Sequence, residues 1–392
     1  MSTESSQITR SNSTNKTPRL YFVDWLRIVA TLSIFLYHSN RFFTLNNWHI
    51  SNAERSLAST VFEDAMNLWM MPLFFVLSGA AVYYSLQSRT AGQFFQERIT
   101  RLLVPLIGIG IFVFGPIQIY LERLTHGEFS GDFFQFYPHY FDGFYGFGGN
   151  FAWMGVHLWY LMDIFIFSLI ALPLFLPYGQ TGKSLVSRLA DKLNGHWVLL
   201  SLLLLLGVAS VAANLAGLGF TEQMGGWDIL SYFAFFIYGY LIFSKEGIRD
   251  IWDRYLLTAL ILALSLTTAH LVLTFVPPFS AVYNSWPMDL GGICAWCWIV
   301  SLLGIGSRFL NFSNKFSGYA NEAVLPFYIL HQPVILVVGF FVVQWNIGIF
   351  AKYSVIIITS FIMIMAIYEF TVRRINILRF LFGMRLKKNR AV

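Results

Sequence analysis

The chain has 392 residues, of which 56% are hydrophobic and only 12% are charged. Soluble proteins carry about twice that charged fraction, so the composition excludes an ordinary soluble globular protein. Apolar runs long enough to cross a bilayer, about 20 residues each, recur along the whole chain. We therefore predict an all-α, polytopic membrane protein with about ten transmembrane helices.

The predicted segments follow one another without an inserted soluble domain. Residues 1–18 are polar and rich in Ser, Thr and Asn, which predicts a disordered cytoplasmic tail rather than a signal peptide. Residues 19–375 are predicted to form the membrane domain, and residues 376–392 a basic cytoplasmic tail. The predicted spans are residues 21–40, 66–86, 102–121, 155–177, 197–217, 227–244, 254–275, 286–305, 322–344 and 352–372.

The distribution of basic residues predicts the orientation of the chain. Of the 26 Lys and Arg residues, only Arg41, Arg55, Arg123 and Lys352 fall on the predicted outer side. By the positive-inside rule, both termini are then cytoplasmic, in a multi-pass protein of the cell membrane. The net charge of +6 follows from this topology and does not indicate nucleic-acid binding. The basic tail suits contact with anionic membrane lipid.

Three polar residues share one face of the first predicted span. Arg27 and His38 are eleven residues apart, which is almost three helical turns or about 16 Å along the axis. Asp24 precedes Arg27 by three residues on the same face. Ionisable groups inside a membrane are costly and are commonly functional. A neutral imidazole suits general-base work on a hydroxyl, or transient carriage of an acyl group, so His38 is a candidate catalytic residue.

Two arginines begin the third predicted span at headgroup depth. Arg98 and Arg101 are three residues apart and are predicted to point the same way on a helix. One interpretation is ordinary anchoring at the cytoplasmic surface. The other is a two-arginine fork for a phosphorylated ligand, because guanidinium groups pair bidentately with phosphate oxygens.

Further polar side chains are predicted within the membrane. Ser78 lies in the second span, His157 and Asp163 in the fourth, and His331 in the ninth. Each alone is typical of a structural residue, but together they predict a cluster, since each needs a protein or water partner. Asp163 would orient the imidazole of His38 if the two face each other. The histidines lack the His-Glu-x-x-His spacing of a zinc site, so no metal is expected.

The longest predicted connection, residues 122–154, is aromatic and acidic. Its carboxylates are Glu122, Glu128, Asp132 and Asp142, against Arg123 alone. Aromatic residues at this position are typical of an interfacial belt. The alternative is a platform on which sugar rings stack while the carboxylates accept hydroxyl hydrogen bonds. Both can hold at once.

Four motifs occur in register with the predicted spans: Arg27-x10-His38, Phe74-Phe75-Val76-Leu77-Ser78-Gly79, Arg98-x-x-Arg101 and His157-Leu158-Trp159-Tyr160-Leu161. In this order they resemble the acyltransferase 3 family of integral membrane acyltransferases. Residues 321–333, which include Tyr328 and His331, resemble the branch that contains bacterial glucan succinyltransferases. The resemblance covers roughly residues 18–375. Tyr160 stands where the family usually has Phe, and no fused hydrolase-like domain follows the last span, so transfer would finish within the membrane domain or with a partner.

The resemblance implies transfer of an acyl group from cytoplasmic acyl-CoA to an extracytoplasmic acceptor, commonly a carbohydrate hydroxyl. His38 would be the catalytic imidazole, Arg98 and Arg101 would bind the CoA phosphates, and Arg27 would line the path between. Acyl-CoA would be a donor substrate rather than a permanently bound cofactor. The substrate-contacting positions would be Ser78, His157, Tyr328 and His331.

A transporter or exporter of a glycan or lipid-linked precursor is the alternative, because it would use the same polar stripe as a path. Such proteins usually show repeated halves, and we find no clear internal repeat. A non-catalytic scaffold would leave the intramembrane charges unexplained. The sequence leaves open the acyl group, the acceptor and the oligomeric state.

Overall fold

The computed structural model describes residues 20–144, 149–177, 182–218, 225–280 and 290–387. Within these ranges the regular structure is helical and there is no β-strand; Phe144 and Phe151 form an isolated β-bridge. The helices are α1 (Tyr21–Asn40), α2 (Leu57–Asn67), α3 (Met70–Leu86), α4 (Ala91–Arg98), α5 (Gly115–Thr125), α6 (Phe133–His139), α7 (Trp159–Ile170), α8 (Leu172–Phe175), α9 (Leu185–Lys192), α10 (Gly195–Leu215), α11 (Ile229–Ser244), α12 (Ile248–Phe275), α13 (Gly291–Phe309), α14 (Lys315–Val342), α15 (Ile349–Ile367) and α16 (Asn376–Leu381). The predicted tail 1–18 and the first residues of the predicted eighth span, 286–289, lie outside the described ranges.

The prediction of an all-helical membrane protein is confirmed for the described residues. Seven helices there are long and apolar enough to cross a membrane: Leu57–Leu86, Ala91–Thr125, Gly195–Leu215, Ile248–Phe275, Gly291–Phe309, Lys315–Val342 and Ile349–Val372. The apolar helices of the predicted fourth and sixth spans, Val156–Ile170 and Ile229–Ser244, are shorter. The count of about ten spans and the orientation of the termini stay predictions.

Helix α1 lies in the middle of the bundle, which places its polar stripe inside the protein. It packs against α14, α13, α3, α2 and α15. The apolar stretch of α14 is 72% buried within the protein, whereas that of α12 is only 17% buried. His38 of α1 therefore faces the enclosed helix α14, while α12 presents most of its apolar surface outward.

Helices α3 and α11 approach each other so closely that only glycine fits at the crossing. A Cβ atom on Gly79 would lie 2.0 Å from the backbone oxygen of Phe236, and one on Gly239 would lie 2.0 Å from that of Val76. Small residues allow such close packing of membrane helices. Because Ser78 precedes Gly79, this crossing also positions a candidate site residue.

We expect Gly79→Ala and Gly239→Ala each to prevent correct folding, because a backbone oxygen cannot move aside without displacing its helix. The measurement is the yield of monodisperse protein in mild detergent and its melting temperature. Gly207→Ala in α10 is the matched control, since no atom lies within 4 Å of the added Cβ and alanine favours a helix. A wild-type yield and melting temperature for Gly79→Ala would contradict the assigned crossing.

One long helix, Ala91–Thr125, carries both predicted arginines at its beginning. After α4 it continues as two π-helical stretches, Ile99–Leu103 and Leu106–Phe114, before α5. Pro105 lacks an N–H and cannot donate to the carbonyl of Arg101, four residues earlier. π-Helical stretches of this kind are frequent at functional sites. Arg101 thus lies in a stretch whose backbone departs from the ordinary helix.

Candidate active site

Three histidines from three parts of the chain meet in the bundle. His38 lies on α1, His331 on α14, and His157 in a single 3-10 turn before α7. The ring centroids of His38 and His331 are 5.0 Å apart, as are those of His157 and His331. His331 and His157 are buried, and His38 keeps some accessible surface. The structure therefore brings together the three imidazoles that the sequence placed in separate spans.

A proline in α14 determines the orientation of His157. Pro333 has no N–H, so the carbonyl of Ile329, four residues earlier, receives no helical hydrogen bond. Nε2 of His157 lies 3.2 Å from this carbonyl oxygen and donates to it. Because one ring nitrogen then carries the proton, Nδ1 of the neutral ring presents a lone pair. The preceding residue, Val156, has φ of +56°, a strained value for a β-branched residue.

His331 is oriented in the same manner by the backbone of its own helix. Its Nδ1 lies 2.5 Å from the carbonyl oxygen of Tyr328 and donates to it, which leaves a lone pair on Nε2. Among the described residues, Nδ1 of His38, Nδ1 of His157 and Nε2 of His331 have no hydrogen-bond partner. The cluster therefore presents unpaired ring nitrogens that can exchange protons or hydrogen bonds with a ligand. Within the described ranges no set of three potential ligands is arranged to hold a metal ion.

Tyrosine and serine hydroxyls extend from the histidines toward the other end of α1. The hydroxyl of Tyr328 donates to the backbone oxygen of His157 at 2.6 Å, and its ring lies 5.8 Å from that of Tyr160. The hydroxyl of Tyr160 in turn lies 2.6 Å from that of Ser78. Tyr160, which replaces the usual Phe of the family motif, is thus the direct partner of a predicted site residue.

Arg27 lies beside this hydroxyl pair. Its guanidinium donates to the backbone oxygen of Leu77 at 3.3 Å and lies 3.7 Å from the carboxylate of Asp24. Polar side chains therefore form a continuous path along α1, from His38 at one end, past Tyr160 and Ser78, to Arg27 at the other. The path has the direction that the eleven-residue spacing predicts, about 16 Å along the helix.

A cluster of arginines surrounds Glu97 at the Arg27 end of the path. The carboxylate of Glu97 lies 3.1 Å from Arg89, 3.3 Å from Arg101 and 4.0 Å from Arg98. The guanidinium of Arg98 also lies 4.8 Å from the centre of the Phe94 ring, and its side chain is only 12% exposed. The Arg101 side chain is 46% exposed. Both predicted arginines therefore face one carboxylate, and Arg98 interacts electrostatically with Arg27.

The sequence of the chain is similar to those of known proteins. A family profile described as an acyltransferase domain matches residues 20–369. The chain belongs to the acyltransferase 3 family. Proteins named glucans biosynthesis protein C from Salmonella paratyphi B and Salmonella enteritidis are each 23% identical to it over 339 residues, covering 83% of this chain and 84% of theirs. The homologue of that name from Salmonella paratyphi A is 22% identical over 336 residues. No solved structure matches the chain.

In this acyltransferase Asp163 is buried on α7. The Asp163 side chain is 1% exposed, and neither carboxylate oxygen has a hydrogen-bond partner among the described residues. It interacts electrostatically with Tyr328 and Tyr232, whereas the rings around His38 include those of His331 and Trp48. The structure shows no contact through which Asp163 would orient His38, and its catalytic role stays a prediction.

A buried imidazole–carboxylate pair, His49 and Glu122, borders the three histidines. This pair was not predicted from the sequence. Nδ1 of His49 bonds to the carboxylate of Glu122, and its Nε2 lies 3.3 Å from the amide nitrogen of Gln332. That amide also donates to Gln118 at 3.0 Å. Gln332 directly follows His331, so this buried network supports the turn of α14 that faces His38. His49 and Glu122 are 73 positions apart, so no sequence spacing predicts that they meet. The local signal for this pair was Glu122 itself, an acidic residue at the end of a predicted span.

In this acyltransferase the carboxylates of residues 122–154, the segment predicted to lie outside, bond to protein groups. Glu122 bonds to His49, Glu128 pairs with Arg123, Asp142 lies 3.0 Å from His139, and Asp132 caps α6. Several of its aromatic residues pack on one another around a small core formed by Ile119, Phe136, Tyr140 and Ala152. Phe134 is the most exposed of them, with 84% of its surface accessible. The segment is a folded cap beside the histidines, and its carboxylates are already hydrogen-bonded.

Proposed function

We propose that this acyltransferase moves an acyl group from cytoplasmic acyl-CoA to a hydroxyl of a glycan on the opposite side of the cell membrane. The observation that supports this proposal is the polar path between the arginines around Glu97 and the three histidines. Its two ends suit different ligands: guanidinium groups suit phosphates, and imidazole lone pairs suit hydroxyl protons.

At the donor end, Arg98 and Arg101 hold phosphates of the donor. Phosphates are too costly to move into the membrane interior, so they stay at the cytoplasmic surface while the uncharged arm enters the bundle. Arg27 lies along this route, since its guanidinium donates to the backbone oxygen of Leu77, the residue before Ser78. The thioester then reaches His38, about three helical turns farther along α1.

At the acceptor end, His38 removes the proton of the acceptor hydroxyl as that oxygen attacks the thioester carbonyl. The carbon–oxygen bond forms, the carbon–sulfur bond breaks, and the proton passes from His38 to the sulfur of CoA. His157 and His331 accept hydrogen bonds from the acceptor through their free ring nitrogens. Tyr328 donates to the His157 backbone and Tyr160 to the backbone oxygen of Phe74. The Ser78 hydroxyl, which lies 2.6 Å from that of Tyr160, donates to the developing oxyanion in exchange for this bond.

A glycan acceptor is supported by two features. Lone pairs on buried imidazoles suit a ligand rich in hydroxyl donors, and the relatives are named for glucan biosynthesis. The aromatic outer segment adjoins the histidines through His49 and Glu122.

Sealed membrane vesicles of opposite orientation test the proposal. Radiolabelled acyl-CoA added outside inside-out vesicles, which expose the cytoplasmic face, is expected to label glycan held in the lumen. The same donor added outside right-side-out vesicles is expected to give no label until the membrane is permeabilised. Vesicles without the protein are the control. Equal labelling from both sides, or none from the cytoplasmic side, would overturn the assignment of donor and acceptor faces.

A further inference from the structure

A charged cavity outside the polar path lies at the carboxyl end of the described chain. Its volume is about 520 Å³, and it is lined by Glu322, Glu369, Arg373, Arg374, Arg379 and Lys387. Four cationic side chains against two carboxylates leave a net charge of +2. The acyl-transfer path described above uses none of these residues.

Two of the four cations build the cavity wall. Arg379 is almost buried and uses each of its nitrogens: it donates to Glu322 at 3.0 Å and to the backbone oxygens of Arg373 and Arg385 at 3.0 and 2.8 Å. Arg373 pairs with Glu369 at 2.9 Å and with Glu322 at 3.4 Å. The two carboxylates are therefore neutralised by these two arginines.

The remaining two cations carry the surplus charge. The Arg374 side chain is 59% exposed, and its only carboxylate neighbour among the described residues, Glu369, is 3.8 Å away. The ammonium of Lys387 pairs with no carboxylate in the described part of the chain. An accessible guanidinium and an ammonium at the mouth of one cavity are the donors that phosphate groups take.

The cavity adjoins the helix that carries Arg101. Gly383, with φ of +66°, follows α16 in the loop that leads to Lys387, and a Cβ on it would lie 2.8 Å from the backbone oxygen of Arg101 and 3.1 Å from the Pro105 ring. Pro105 cannot donate to that oxygen. The loop thus packs directly on the π-helical stretch, so the cavity and the arginines around Glu97 lie at the same end of the protein.

We propose that this cavity binds a phosphate monoester or diester, separate from the phosphates held by Arg98 and Arg101. Two sources have this chemistry at the membrane surface: the 3′-phosphate of the CoA donor, which branches from the ribose separately from the 5′-pyrophosphate, and the headgroup phosphate of an anionic lipid. The first source rests on the proposed function, and the second does not.

The test uses Arg374→Gln combined with Lys387→Gln, which removes the surplus charge and keeps the ion pairs of the wall. The full-length protein is placed in lipid nanodiscs, and KM is measured for acyl-CoA and for acyl-3′-dephospho-CoA. If the donor supplies the phosphate, the wild type prefers acyl-CoA by about tenfold in KM, and the double variant loses this preference at unchanged kcat. Arg254→Gln, at an exposed position of α12, is the matched control.

A lipid source gives a different result. The wild type then gains activity and thermal stability when phosphatidylglycerol is added to phosphatidylcholine nanodiscs, and the double variant does not. If the wild type transfers no acyl group from CoA, the proposed function fails, but binding of adenosine 3′,5′-bisphosphate and inorganic phosphate still tests the cavity by calorimetry. The cavity proposal is overturned if the double variant matches the wild type in donor preference, lipid response and phosphate binding.

Discussion

Replacing His38 with alanine is expected to lower kcat/KM for acyl transfer by about a hundredfold or more, because general-base catalysis contributes about 10² to 10⁴ in rate. The other two histidines cannot replace it. His157 and His331 are buried, whereas His38 keeps accessible surface. The measurement is the initial rate of label transfer from acyl-CoA to the acceptor at equal amounts of folded protein.

His196→Ala is the matched control for His38→Ala. His196 is exposed at the beginning of α10 and contacts Tyr255, far along the chain from the cluster. It is expected to keep the wild-type rate. Undiminished transfer by a well-folded His38→Ala protein would remove His38 from the mechanism and would direct attention to His49, a buried imidazole that borders the cluster and has a carboxylate partner.

The combined variant Arg98→Ala and Arg101→Ala is expected to raise KM for acyl-CoA by about 10- to 100-fold and to leave kcat within about threefold. Charge-assisted hydrogen bonds contribute about 1.5 to 3 kcal/mol each, and about 1.4 kcal/mol corresponds to a factor of ten in binding. The effect falls on KM because the phosphates are held in the same way before and during reaction at the remote thioester.

A conservative variant separates phosphate binding from anchoring in the membrane surface. Arg98→Lys keeps the charge but loses the planar fork, so phosphate recognition predicts an intermediate KM. Simple anchoring predicts a wild-type KM for the lysine variant. If Arg98→Ala with Arg101→Ala kept the wild-type KM, the phosphate assignment would be wrong and the arginines would serve topology alone.

Much of the fold was predictable because its signals are local. A stretch of about 20 apolar residues is enough to predict a membrane-spanning helix. Each predicted span contains a helix in its described part. The stripe of Arg27 and His38 was predictable for the same reason, since both residues lie on one helix. The three histidines could be predicted as a cluster because polar groups in a membrane need partners.

Contacts between distant segments were not predictable in this way. The sequence left open whether Asp163 faces His38, because the rotation of α7 depends on its packing. In the structure the Asp163 carboxylate has no hydrogen-bond partner among the described residues. His49 and Glu122 are 73 residues apart in the chain and meet only in the folded protein. Tyr160 looked like a neutral replacement, and only the approach of α3 gave its hydroxyl a partner in Ser78.

The sequence by itself determined the class of the protein, the helical segments and the spacing of Arg27 and His38, because hydrophobicity and helical periodicity act within one segment. Tertiary structure decided which ring nitrogens remain available. That choice depends on Pro333, which frees a carbonyl for His157, a residue 172 positions from Ile329. Tertiary structure also brought the carboxyl-terminal cations beside Arg101, through one glycine contact that no linear pattern encodes.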